Sequence, residues 1–138
     1  MKYDPKTNSA TVLQSGITYP NGLAISGLVV ALTGPWKLRR YGIKSPKTGT
    51  SEPLAGLPGY PDNVRADGKG GFWVALHREK LELPFGPDSY LLAVRINADG
   101  QIVQVMRGPK GIRPNEVVER EGGKQYMELS GTTLCRRS

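Results

Sequence analysis

The sequence has one cysteine, Cys135, and one histidine, His77, in 138 residues. A single thiol cannot form an internal disulfide, so no bridge compensates for a small core. No second histidine is present to act as its partner. No stretch approaches the roughly 18 consecutive apolar residues of a membrane-spanning helix. The opening Met1-Lys2-Tyr3-Asp4-Pro5 lacks the apolar core of a secretory signal, so the chain as given carries no address of its own. Ser15, Ser26 and Ser130 lack a Gly-x-Ser-x-Gly context, which leaves a serine-hydrolase triad unsupported. Helical periodicity is missing throughout.

What remains is 38% apolar content with 18 glycines and 11 prolines, the composition of a folded, turn-rich, all-β chain. Lys and Arg number 19 against 12 Asp and Glu, a net charge of +7. The basic residues are dispersed through Lys37-Leu38-Arg39-Arg40, Lys44, Lys47, His77-Arg78-Glu79-Lys80 and Arg136-Arg137. They form no helical stripe and carry no RNA-stacking aromatic motif, so nucleic acid is not the expected partner. Solvated loops and charged strand edges account for them.

Alternation and β-branched residues predict strands over 10–13, 22–25, 28–32, 37–41, 64–66, 71–76, 89–96, 101–106, 116–119 and 124–127. Asp67-Gly68-Lys69-Gly70-Gly71 and Asn97-Ala98-Asp99-Gly100 supply residues that tolerate positive φ, and each is expected to join two antiparallel strands. One pattern recurs three times: Tyr19-Pro20-Asn21-Gly22, Tyr60-Pro61-Asp62-Asn63 and Arg113-Pro114-Asn115-Glu116, each just before a predicted strand. Asn21, Asn63 and Asn115 lie 42 and then 52 residues apart, which brackets the roughly 40 to 50 residues of a four-stranded propeller blade. The chain therefore holds about three blades, fewer than the four to eight of a closed ring. Its exposed blade edges are expected to pair with another chain, or to leave a fragment of poor stability.

The segments Leu57-Pro58-Gly59-Tyr60-Pro61-Asp62-Asn63-Val64-Arg65 and Gly71-Phe72-Trp73-Val74-Ala75-Leu76-His77-Arg78 resemble the plant strictosidine-synthase-like proteins. So do Tyr19-Pro20-Asn21-Gly22, residues 41–52 and Leu81-Glu82-Leu83-Pro84-Phe85-Gly86-Pro87. The resemblance implies an all-β, partial six-bladed-type β-propeller with antiparallel four-stranded blades over 1–127, corresponding to roughly the C-terminal half of a member. It implies a secretory or vacuolar setting and a small-molecule substrate. Two departures stand out. Only Gly27 separates Ser26 from Leu28 where the family has a longer hairpin, and residues 128–138 form an anomalous tail outside the pattern.

Resemblance to calcium-dependent lactonases and esterases of the six-bladed class makes Asn21, Asp62 and Asn63 a partial metal site, since hard oxygen donors suit Ca²⁺. The same side chains can instead cap turns through backbone amides. His77 is a candidate general base, or a rim residue beside Arg78 and Glu79. No other cofactor is implied. Strictosidine synthase condenses an amine with an aldehyde using a glutamate, whose counterpart here falls at about Ile112, where there is no carboxylate. Glu116 and Glu119 lie nearby, and their strand positions predict that they face solvent. Three functions stand open: a strictosidine-synthase-like protein linked to alkaloid biosynthesis, a calcium-dependent hydrolase, and an inactive fragment.

Overall fold

The computed structural model describes residues 1–12, 15–17, 20–24, 28–32, 36–42, 50–79, 89–109, 114–129 and 132–137, with the backbone alone for 77–79, 89–90, 129 and 132–137. Among the described residues, thirteen strands and one 3-10 turn, Glu121–Gly123, make up the regular structure. A hairpin of β1 (Lys2–Asp4) and β2 (Ser9–Thr11) precedes three sheets. Blade I is β3 (Pro20–Ala24), β4 (Val29–Leu32), β5 (Lys37–Tyr41) and β6 (Ser51–Gly56). Blade II is β7 (Gly59–Ala66), β8 (Phe72–Glu79), β9 (Ser89–Ile96) and β10 (Ile102–Pro109). Blade III is β11 (Pro114–Arg120), β12 (Lys124–Leu129) and β13 (Thr132–Arg137). Every pairing joins chain neighbours and is antiparallel. The first strands β3, β7 and β11 pack on one another in that order, which makes them the inner strands of adjacent blades.

Burial follows from this stacking. In β8, Phe72, Val74 and Leu76 join Val29, Ala31 and Leu38 in the core between blades I and II. The alternate residues Trp73 and Ala75 join Val117 and Met127 in the core between blades II and III. A sheet covered on both faces needs apolar residues at successive positions rather than every second one, which is why 72–76 reads as a continuous apolar run. The outward face of blade I carries a third cluster, Val30, Leu32 and Tyr41 with Ile17 and Leu28.

The two expected hairpin turns share one construction. Asp67 Oδ1 accepts hydrogen bonds from the amides of Lys69 (2.7 Å) and Gly71 (2.9 Å). Asn97 Oδ1 does the same with Asp99 (3.0 Å) and Gln101 (2.9 Å). Gly100, at φ 86°, closes the second turn against β6, where an added Cβ would overlap the carbonyl of Leu54. Arg40 donates from β5 to the carbonyl of Ala98 in this turn at 2.7 Å, fastening blade I to blade II.

The structure differs from the sequence reading in several places. β6 is a strand despite Pro53, because the outermost position leaves one edge without a ladder partner to need an amide. Thr132–Arg137, within the expected tail, pairs along β12 from Lys124 to Leu129. The Pro-Asn motifs do not precede their strands but lie inside the first residues of β3, β7 and β11. At the shortened hairpin of blade I, β3 and β4 still pair antiparallel, with Leu23 opposite Val30, and Leu28 takes φ 45°.

Candidate functional site

Each inner strand is bulged at its motif. Pro20 and Leu23 face Leu32 and Val30, so Asn21 and Gly22 together oppose Ala31. Pro61 and Val64 face Leu76 and Val74, so Asp62 and Asn63 oppose Ala75. Pro114 and Glu116 face the consecutive residues Leu129 and Glu128, which leaves Asn115 as the extra residue. One additional residue per inner strand bends the chain and re-aims side chains, and proline is compatible because the ladder is interrupted there. All three bulges lie at the same end of their blades, since each opens the first strand of a meander.

The inner strands meet at this level. A Cβ on Gly22 would overlap the backbone of Asn63 and Val64, so glycine is what lets β3 approach β7 beside Asn21. Asp62 is buried at 8% exposure, Asn63 and Asn115 are half-buried and Asn21 is exposed. His77 falls in a further irregularity: Tyr60 pairs with Arg78 and Pro61 with Leu76, so His77 is the unpaired residue of β8 next to the Pro61-Asp62 step. Its side chain is outside the described residues, as is all of Ile112. The structure thus brings Asn21, Asp62 and Asn63 to one end of two touching inner strands, sets the backbone of His77 on the neighbouring strand, and adds Asn115. That last residue was already signalled by the third Pro-Asn repeat.

Among the described residues, no group of three or more His, Cys, Asp or Glu could hold a metal ion. The side-chain oxygen donors within the three bulges are instead the Asp62 carboxylate and the carboxamides of Asn21, Asn63 and Asn115. A cleft of about 390 Å³ opens beside Asn21 on the outward face of blade I, lined by Ile17, Leu23, Leu28, Val30 and Tyr41 among others.

Glu116, next to the Asn115 bulge, and Glu119, toward the opposite end of β11, are not solvent-facing residues as their strand positions predict. Glu116 pairs with Nε of Arg65 on β7 at 2.5 Å. Glu119, with its side chain 8% exposed, accepts from Trp73 Nε1 at 2.8 Å and lies 3.4 Å from Lys69 Nζ and 3.9 Å from Arg95. The hydrogen bond from Trp73 holds the Glu119 carboxyl below the usual carboxylate range against the opposing effect of burial, helped by Arg95 and Lys69. Burial works to raise the Asp67 carboxyl, but the Lys69 and Gly71 amides and Arg95, whose Nε donates at 2.8 Å, carry it below that range. This network ties blade II to blade III. Sequence alone could not show which residues lie across that seam.

Three stacked, antiparallel meanders with their first strands innermost define a partial β-propeller of the six-bladed type. The same fold appears in a gluconolactonase from Xanthomonas campestris, to which the chain is 16% identical with a TM-score of 0.73, covering 95% of this chain and 41% of that one. No family model matches the chain. In sequence it is similar to strictosidine-synthase-like 10 of Arabidopsis thaliana, at 30% identity over 92% of this chain and 43% of that protein. It is similar to strictosidine-synthase-like 3 of the same plant at 32% identity, over 92% of this chain and 41% of that protein. The chain belongs to the strictosidine-synthase-like family and spans about two fifths of the length of these relatives.

Proposed function

We propose that the chain builds part of the small-molecule channel of a strictosidine-synthase-like propeller, and that its bulged inner strands hold a Ca²⁺ ion used in lactone or ester hydrolysis. The observation that carries this reading is the bulge repeated at Asn21, Asp62-Asn63 and Asn115. One carboxylate and three carboxamides suit a hard cation in kind, and fall short of its six to eight oxygens in number. Asp62 and Asn63, with Asn21 beside them, would hold the ion, which would polarise a substrate carbonyl. Waters, substrate or residues beyond those named complete the shell. His77, whose backbone lies at the same end on the neighbouring strand, would serve as the base.

The relatives' names point to amine–aldehyde condensation, which needs a carboxylate able to take and return a proton. Glu116 is tied to Arg65, and Glu119 is held ionised by Trp73, Arg95 and Lys69. Neither is suited to that exchange, which favours hydrolysis.

The test is calorimetric unfolding with and without millimolar Ca²⁺. A ligand bound only by the native state at a hundredfold excess over its dissociation constant adds about 2.7 kcal/mol to stability. The expected result is a raised midpoint that is lost in Asp62→Ala, together with Ca²⁺-dependent turnover of aryl esters or lactones. An unmoved midpoint in the parent chain rules the reading out.

A further inference from the structure

Arg65 is the one cation of β7 and stands directly opposite Trp73 in the ladder with β8, so its side chain leaves the sheet on the side of blade III. There its Nε donates to Glu116 Oε1 at 2.5 Å. Val117 turns into the core between blades II and III, whereas Glu116 lines a cleft on the other face of β11 with Val118 and Arg120. One edge of β11 is covered by β12. The contact therefore runs past the other edge, the inner one that borders the channel. Both partners, and the seam between them, are supplied by adjoining blades of the chain.

The guanidinium is only half engaged. An arginine fork offers an anion either Nε with one terminal nitrogen or the two terminal nitrogens together. Glu116 takes Nε, and Nη1 and Nη2 have no partner among the described residues, on a side chain that is 54% exposed. Lys69 and Arg95 on the same blade differ, being engaged by Glu119 and Asp67.

We infer that the terminal edge of Arg65 is a carboxylate-binding subsite on the channel wall, and that the substrate taken there is an ester or lactone bearing a carboxylate. The choice of substrate rests on the hydrolase reading above; the subsite does not. Glu116 is the positioning residue: its bond fixes the plane of the guanidinium, so less freedom is lost when a ligand pairs with the two terminal nitrogens. The Arg65–Glu116 pair is neutral as a whole and Asp62 lies three residues back on β7, so a singly charged carboxylate is favoured over a doubly charged phosphate. Asn63 is two residues from Arg65, about 7 Å along the strand. A carboxylate on Arg65 thus sits beside the bulge and leaves the ester carbonyl of the same molecule to Asp62 and Asn63.

The experiment is calorimetric unfolding of the purified chain in Ca²⁺-free buffer with benzoate, with its neutral isostere benzamide, or with inorganic phosphate, at matched ionic strength. Benzoate should raise the midpoint and benzamide should not. Arg65→Gln should weaken benzoate binding roughly 10- to 100-fold, and Arg65→Lys should restore only part, since an ammonium lacks the fork. The readout is the benzoate-induced shift within each variant, which a change in the variant's own stability does not mimic. Arg120→Gln, an exposed charge on the far side of β11, should leave the shift intact. No response to benzoate overturns the subsite, as does an equal response to benzamide or a larger one to phosphate. A shift that survives Arg65→Gln, or falls equally with Arg120→Gln, does so too. Turnover separates the two readings. For a carboxylate-bearing aryl ester, Arg65→Gln should raise KM with kcat little changed, and should leave the neutral ester's KM alone. Benzoate binding without Ca²⁺-dependent turnover sinks the hydrolase reading only; turnover with the two esters equally affected sinks the subsite only.

Discussion

Trp73 on β8 donates its indole N–H to Oε2 of Glu119 on β11 at 2.8 Å, across the seam between blades II and III. The indole is fully buried, so the bond satisfies a donor that has no access to water. Leaving such a donor unpaired costs about 1–3 kcal/mol. Glu119→Ala should therefore lower stability by about that amount, read as a reduced urea midpoint. An unchanged midpoint would show that the seam does not depend on this pair.

Acid should loosen the same seam. Asp67 and Glu119 both titrate below their ordinary range in the folded chain. Between the folded and unfolded values the unfolded chain binds more protons, so their contribution is fully present above the unfolded values, about 4, and is lost as pH falls through the folded ones. Thermal midpoints should hold level from neutrality down to about pH 5 and fall below about pH 4. Glu119→Gln should flatten part of that fall. A variant profile parallel to the parent's would remove Glu119 as a source.

Gly22→Ala tests the approach of the first two inner strands. The new methyl meets the backbone of Asn63 and Val64, not a flexible side-chain end, so relief requires the strands to separate. A loss of about 1–3 kcal/mol is expected, and with it any Ca²⁺-induced rise in midpoint. Retention of both in the variant would mean that β3 and β7 are not held this close.

Val103 and Val105 are 56% and 55% exposed on β10, the outer edge of blade II. Free apolar edges recruit other strands. Val103→Lys with Val105→Lys should leave stability within about 0.5 kcal/mol while slowing aggregation on heating, followed by turbidity. Faster aggregation would point to a different exposed segment.

The parts of the fold governed by local chemistry were legible in the sequence. The Asp67 and Asn97 turns carry their own acceptors, and 72–76 announces a strand buried on both faces. The Pro-Asn repeat found all three inner strands and placed their starts a few residues late, because a bulge lets proline and the oxygen-bearing residues sit inside the ladder. Pro53 hid β6, since only its outer position makes proline tolerable. The candidate site was visible as Asn21, Asp62 and Asn63, and Asn115 shared their signal. Glu116 and Glu119 were misread because alternation along β11 says which residues share a face, and only the packed neighbour says whether that face meets water or Trp73.

Blade II contributes to two interiors at once: Phe72, Val74 and Leu76 on one side of β8, Trp73 and Ala75 on the other. The strand cannot peel away without wetting both. Its amides should therefore be among the last of the described residues to trade their hydrogens for deuterium, their exchange reporting the opening of both interiors together, while those of the β1–β2 hairpin should exchange early.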